Sequence, residues 1–371
     1  MKFALTGDQP DAALFAGAVA QSSDHSLISC HFSGPLEDRL RDAVLAGATR
    51  VDSAEAVLVS RGTEVIIVAA SDVEESIQLV RQASQAGFHV VVVPPSSPSP
   101  AYGYELHLLL DESQHGIIVL SGSLYLDEGH AVPVNPSDCQ LGLPAMTDDS
   151  DHAATLVDGI DISRELGFAD GQVTVLGINE DGRPSDDRQI VLSDSSQSAG
   201  NRPSVTLKCS RTAETGSFTW LAGDRPVDLK VILPGQTNVL SEQDAAGLCQ
   251  RVSQKLLDSV WCQAAMERYS QTLQVAAAID KSVRRRRTVD ISMDELTERA
   301  AFKTQMTAIG CGVLTWLFLG LIGYLLVGQL FEPPERLMLV LRGLWILPVV
   351  LFLVAQLLLP IARGRVDASE S

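Results

Sequence analysis

Along residues 2–120 the apolar positions switch repeatedly between two periods. Val65-Ile66-Ile67-Val68-Ala69 and His89-Val90-Val91-Val92-Val93 are short runs rich in β-branched residues, which suits strands buried on both faces of a parallel sheet. Between them Val73, Ile77, Val80, Ala83 and Ala86 recur at helical spacing, with Asp72 where an N-cap belongs and Gly87 where the helix should stop. Residues 63–95 therefore predict one strand, helix and strand unit, joined as a right-handed crossover. The same alternation predicts strands at residues 2–6, 26–32 and 116–120, and helices at 10–20, 36–45 and 102–112. These elements specify an α/β domain with a Rossmann-like, doubly wound parallel sheet. Residues 94–100, PPSSPSP, read as a turn that can continue neither strand nor helix.

From about residue 124 the pattern changes to short strands joined by Asp, Gly, Pro and Ser. Strands are predicted at 172–177, 189–192, 204–209, 217–221 and 226–231, followed by a helix over 241–283 in one piece or two. This is an α+β reading with a mostly antiparallel sheet.

Residues 306–330 form a run of 25 residues without a charge, and residues 337–361 a second with only Arg342. Each helix would reach roughly 37 Å, beyond a hydrocarbon layer of about 30 Å. The short Pro333-Pro334 connection predicts an antiparallel transmembrane hairpin. Arg284 to Arg287, Arg299 and Lys303 precede the first span and Arg363 and Arg365 follow the second, so both chain ends are expected on the cytoplasmic side of a cytoplasmic membrane. A juxtamembrane helix over 292–305 is expected to lead in, and residues 362–371 to form a cytoplasmic tail. The spans read as an anchor, since a transporter needs more intramembrane polar groups. Gly310, Gly312, Gly320 and Gly323 would let the hairpin pack on itself or on a second copy as a homo-oligomer. Arg284, Arg285, Arg286 and Arg287 suit contact with anionic lipid; as a short patch without interleaved aromatics they do not suit nucleic acid.

The chain has 371 residues, 46% of them hydrophobic, and a net charge of −18, enough for two domains and a membrane segment and against a polyanionic partner. Six cysteines without CxxC or Cys/His spacing read as reduced thiols, with no metal site expected. The start, Met1-Lys2-Phe3-Ala4-Leu5, enters a strand and does not read as a secretory signal.

Ala86-Gly87-Phe88-His89-Val90 followed by Val93-Pro94-Pro95 resembles the Gfo/Idh/MocA family of NAD(P)-dependent oxidoreductases, in which the stretch reads Ala-Gly-Lys-His-Val and then Glu-Lys-Pro. Residues 270–291, with AAAIDKSVRRRRTVDI, resemble the family's last helix and terminal strand. The resemblance implies a Rossmann-like domain over 1–122, a substrate-type α+β domain over 123–291, and NAD(P) as cofactor if the family's activity is retained. A bound dinucleotide would then lie against Gly7, Asp8 and Gln9 and against Ala69, Ala70 and Ser71.

The residues that should carry chemistry depart from the pattern. A phosphate turn needs glycines so that backbone amides can approach the pyrophosphate, and of Gly7-Asp8-Gln9-Pro10-Asp11-Ala12 only Gly7 matches. Asp8 or Asp11 would instead cap the following helix. The second strand ends Cys30-His31-Phe32-Ser33, without an acid for the ribose. Pro94 stands where the family has its lysine, and the family's His-x-x-Asp motif, set at a helix start, is matched by Asp158 and Asp161. An aspartate suits base catalysis at neutral pH only if burial raises its pKa. His152, a loop histidine six residues earlier, is the other candidate.

Three of these alterations, at the phosphate turn, the lysine and the histidine, together favour loss of hydride transfer. The first reading is thus a membrane-anchored, degenerate relative acting as a non-catalytic binding or scaffolding module. The alternatives are an active NAD(P)-dependent oxidoreductase on a sugar or sugar derivative at the cytoplasmic membrane face, and a membrane-tethered metabolite sensor.

Overall fold

The structure, a computed structural model, describes residues 1–34, 36, 40, 47–125, 139–143, 149–166, 171–178, 184–193, 204–210, 219–222, 225–227, 242–291, 316, 318, 320 and 322. The chain divides into Met1–Met293 and Asp294–Ser371. In the first unit, six strands form one parallel sheet: β1 (Lys2–Gly7), β2 (Ser26–Phe32), β3 (Thr49–Arg50), β4 (Val65–Ala69), β5 (His89–Val92) and β6 (Ile117–Val119). Their order is β3-β2-β1-β4-β5-β6, and every neighbouring pair is parallel. This is the doubly wound order of dinucleotide-binding folds, with the order in which strands are added reversing between β1 and β4.

Local chemistry explains why these segments fold as they do. All five residues of β4 are buried, as a strand covered on both faces requires, and each buried Val or Ile contributes roughly 1.5–3 kcal/mol. The connecting helix α3 (Val73–Gln85) follows α1 (Ala12–Gln21) and α2 (Ala54–Leu58) in the chain. Asp72 caps α3 by accepting from Glu75 N at 2.9 Å, and Gly87 lies just beyond its end. Helix α4 (Pro100–Glu112) begins with Pro100 in its first turn and Ser99 as its cap. The expected unit over residues 63–95 is therefore present. The short β3 and α2 are additions to the sequence reading. Of the helix expected over 36–45, only Leu36 and Leu40 are among the described residues; both are buried, and the rest lies outside them.

The second sheet is mixed. Its strands are β7 (Cys139–Gly142), β8 (Gln172–Ile178), β9 (Pro184–Ser193), β10 (Ser204–Ser210), β11 (Thr219–Ala222), β12 (Arg225–Val227) and β13 (Val289–Asp290), ordered β12-β11-β7-β10-β9-β8-β13. Only β7 and β10 pair in parallel, so the mostly antiparallel expectation holds, and β7 is a strand the sequence reading lacked. Val173 and Val175 are buried while Gln172 and Thr174 are not, the alternation of a sheet with one covered face.

Helices α5 (Asp149–Glu165), α6 (Glu242–Leu256) and α7 (Ser259–Arg285) complete this unit. The helix expected over 241–283 is two pieces, because Asp258 starts a new helix by accepting from Trp261 N at 3.0 Å. Helix α7 is 27 residues long, about 40 Å, and serves both cores. Met266, Tyr269 and Leu273 pack into the parallel-sheet core, while Val275 and Ile279 pack into the core of the mixed sheet with Ile160 and Ile162 of α5. It ends at Arg286, a non-glycine residue in the left-handed region (φ 51°).

Among the described residues no helix is long and apolar enough to cross a membrane. The expected hairpin over 306–330 and 337–361, the lead-in over 292–305 and the tail lie outside the described residues, apart from Trp316, Phe318, Gly320 and Ile322. Those four are helical. Cys30, Cys209, Cys249 and Cys262 are buried, and burial pushes the Cys249 and Cys262 thiols up to about 12 and about 11.

Candidate functional site

In a doubly wound sheet the ligand crevice lies beyond the carboxyl ends of the strands, where the order reverses. Here that place is between β1 and β4, and the chain crosses it as Gly7-Asp8-Gln9-Pro10-Asp11 before entering α1. Gly7 has φ +138°, and a Cβ on it would stand 2.1 Å from the Ala69 carbonyl oxygen. The turn is thus tight enough that only glycine fits. It is tight for a reason: the amides of Asp8 and Gln9 both donate to that same Ala69 oxygen, at 2.9 and 2.8 Å.

The side chains of the turn reach across the strand ends. The Asp8 carboxylate accepts from Ser71 N at 2.7 Å and from Ser71 Oγ at 2.6 Å, beyond the end of β4. Gln9 is 3% exposed, and its Nε2 donates to the Pro94 carbonyl at 3.2 Å, beyond the end of β5. Ala69 and Ala70 are buried beside them. The expected cap on α1 is absent. Asp8 is committed to Ser71, and Asp11, although at the N-cap position, has helical backbone angles and makes no side-chain cap bond.

A dinucleotide pyrophosphate needs free amide donors and space for its oxygens. The amides of Asp8, Gln9, Ala12 and Ala13 already have acceptors, and Pro10 has no amide hydrogen. Asp8 and Asp11 bring negative charge to the same place. In this arrangement the residues do not fit a dinucleotide.

Asp158 and Asp161 lie three residues apart on one face of α5, facing the 3-10 turn Gly122–Tyr125 that follows β6. They sit in the last turns of α5, not at a helix start as the resemblance implies. The Gly122 amide bonds to Asp158, and Ser123 N donates to Asp161 Oδ2 at 2.9 Å. A Cβ on Gly122 would lie 2.5 Å from the Asp158 carbonyl oxygen, so helix and turn are in direct backbone contact. Asp161 is 1% exposed and has Arg268 Nε at 4.0 Å, while Arg268 also pairs with Glu165.

This acidic corner is electrostatically tense. Burial holds the Asp158 carboxyl well above the ordinary carboxylate range, and the negative charges of Asp161 and Asp11 push it further. Burial, then Asp158 and Asp11, raise Tyr125; burial, Tyr102 and the two aspartates raise Tyr269. Among the described residues the buried Tyr269 hydroxyl has no hydrogen-bond partner, whereas Tyr102 pairs with Ser76 Oγ at 2.9 Å. Ser71 was expected against a dinucleotide, whereas Ser123, Tyr125 and Tyr269 were not predicted as site residues. Tyr269 is hidden in the sequence as one more large residue on the core stripe of α7.

His152 is helical, not on a loop, within α5. The buried Nδ1 of His31 has no partner among the described residues. His89 stands at the opposite end of β5 from the crevice, where its Nδ1 accepts from Gly116 N at 2.9 Å and its ring meets His115 edge to face. Among the described residues no group of three His, Cys, Asp or Glu could hold a metal ion.

No family model and no curated protein matches this sequence. Solved structures do match. The myo-inositol dehydrogenase from Corynebacterium glutamicum ATCC 13032 is 15% identical with a TM-score of 0.55, the match covering 79% of this chain and 99% of that one. The apo scyllo-inositol dehydrogenase from Lactobacillus casei is 12% identical with a TM-score of 0.56, covering 78% and 98%. An oxidoreductase from Agrobacterium radiobacter in complex with NAD+, L-tartaric acid and magnesium is 15% identical with a TM-score of 0.54, again covering 78% and 98%. These neighbours are of the kind that the sequence resembles, and at such identities the likeness shows the fold this chain shares with them. Chemistry must be argued from the site.

Proposed function

We propose that this chain is a binding or scaffolding module built on the oxidoreductase fold, held at a membrane and without hydride transfer of its own. The observation that carries this reading is the crevice: Asp8 and Gln9 span the ends of β1, β4 and β5, where the pyrophosphate would lie. The aspartates that stand for the family's catalytic pair support it as well, since both bond the turn after β6 and so tie the two halves of the body together.

A second reading is an NAD(P)-dependent oxidoreductase acting on a sugar or sugar derivative. The fold comparisons favour this one over the first. So does the raised pKa of Asp158, which makes it a better proton donor or acceptor near neutral pH than an ordinary aspartate. Two of the fold neighbours are inositol dehydrogenases, and another holds NAD+ and L-tartaric acid, so polyols and hydroxy acids are the compounds to try. Incubation of the full chain with NAD+ or NADP+ and such compounds separates the readings. The first expects no reduced nicotinamide; steady formation that Asp158→Ala abolishes would establish the second.

The membrane part of the proposal is supported by the charge-free run over 306–330 and its basic flanks. Trp316, Phe318 and Ile322, helical and exposed, present large apolar side chains there. Arg284, Arg285, Arg286 and Arg287 are exposed at the end of α7, where each could add about 1 kcal/mol of attraction to anionic lipid.

A further inference from the structure

The backbone around the crevice keeps the features of a dinucleotide site. The strand order reverses between β1 and β4, Gly7 makes its tight turn onto Ala69, and the ten-residue α1 starts at that point. Besides the committed amides of the turn, two side chains close the place. Asp8 puts a carboxylate on Ser71 N and Oγ, the donors that an anionic or hydroxyl-bearing ligand would meet beyond β4. Gln9 occupies the position where a phosphate turn has glycine, and its buried amide spans from that turn to the Pro94 carbonyl.

We propose that Asp8 and Gln9 form an internal plug in a latent dinucleotide site, so that these two side chains, beyond the committed amides of the turn, exclude the ligand of the fold. Asp8 acts as a built-in anion. Gln9, buried, donates to the Pro94 carbonyl, an acceptor that would otherwise face the ligand. The plug sits on the shortest path between the β1 turn and the ends of β4 and β5, so removing it opens the path that a pyrophosphate and its ribose would follow.

This inference rests on the reading that the wild-type chain binds no dinucleotide, and the test keeps the two apart. The probe is NADH, titrated into the full chain in detergent and followed by nicotinamide fluorescence. Wild type is expected to show no saturation up to about 1 mM, and Asp8→Ala/Gln9→Gly to bind saturably, at least about tenfold more tightly. Pro10 and Asp11 remain in both proteins, so the gain reports on the plug alone. A folded double variant that binds no better than wild type overturns the plug and leaves the wild-type reading standing. Saturable binding by wild type overturns both. If the glycine substitution prevents folding, Gln9→Ala leaves the turn with a Cβ and should show part of the gain; a folded Gln9→Ala variant with wild-type behaviour also overturns the proposal.

Discussion

The unit from β4 through α3 to β5 and the turn from β1 into α1 meet at one edge of one sheet, yet their side chains do different work. In the unit, apolar residues face the core, Asp72 caps a helix, and the polar residues of α3 are mostly left to solvent. In the turn, Gly7 alone serves backbone geometry, while Asp8 and Gln9 bond to residues about 60 and 85 positions away. The first region is what any doubly wound sheet needs in order to fold. The second is where such a sheet normally leaves polar groups unspent for a ligand, and here they are spent on the chain itself. On the proposed reading, the fold is kept while its binding edge is converted into structure.

Changes that strike the shared backbone should have the largest effects. Gly7→Ala combines a positive φ with a Cβ 2.1 Å from a backbone oxygen, and is expected to cost upwards of about 4 kcal/mol or to prevent folding. Denaturant unfolding or soluble yield checks this; a stable Gly7→Ala protein would show that the turn is looser than described. Asp161→Ala comes next. It leaves the Ser123 amide and the Arg268 guanidinium without their buried acceptor, and about 2–3 kcal/mol of stability should be lost. A loss under about 0.5 kcal/mol would mean that the aspartates do not tie the turn to α5.

The smallest effect is one of slope. The Asp158 carboxyl is raised in the folded state, so its contribution favours folding at low pH and is lost as pH rises from the ordinary carboxylate range through the raised value. Stability should decline over that window, and Asp158→Asn, which cannot ionise, should flatten the decline. Measuring unfolding free energy at several pH values for both proteins decides it; parallel curves would show that Asp158 ionises without strain.

Much of the frame was legible because its signals are local. Continuous runs such as residues 65–69 mark buried strands, and Asp72 and Gly87 bracket the helix between two of them. The break at Asp258 is also local, an N-cap inside a long helical pattern, and it decides between one helix and two. Strands β3 and β7 escaped because two and four residues carry too little periodicity. At the site, the missing glycines could be read, but the destinations of Asp8 and Gln9 could not, since no local pattern encodes contacts across so many residues. The expected cap by Asp8 failed for the same reason, since Ser71 outcompeted the adjacent helix end, while Asp11 has helical backbone angles at the cap position.

The central claim is that the wild-type crevice is closed by its own side chains. Calorimetric titration of NADH and of NADPH into the full wild-type chain addresses it most directly. We predict only heats of dilution up to about 1 mM ligand, whereas a saturable isotherm with a Kd of a few micromolar, about −7 to −8 kcal/mol, would contradict the account.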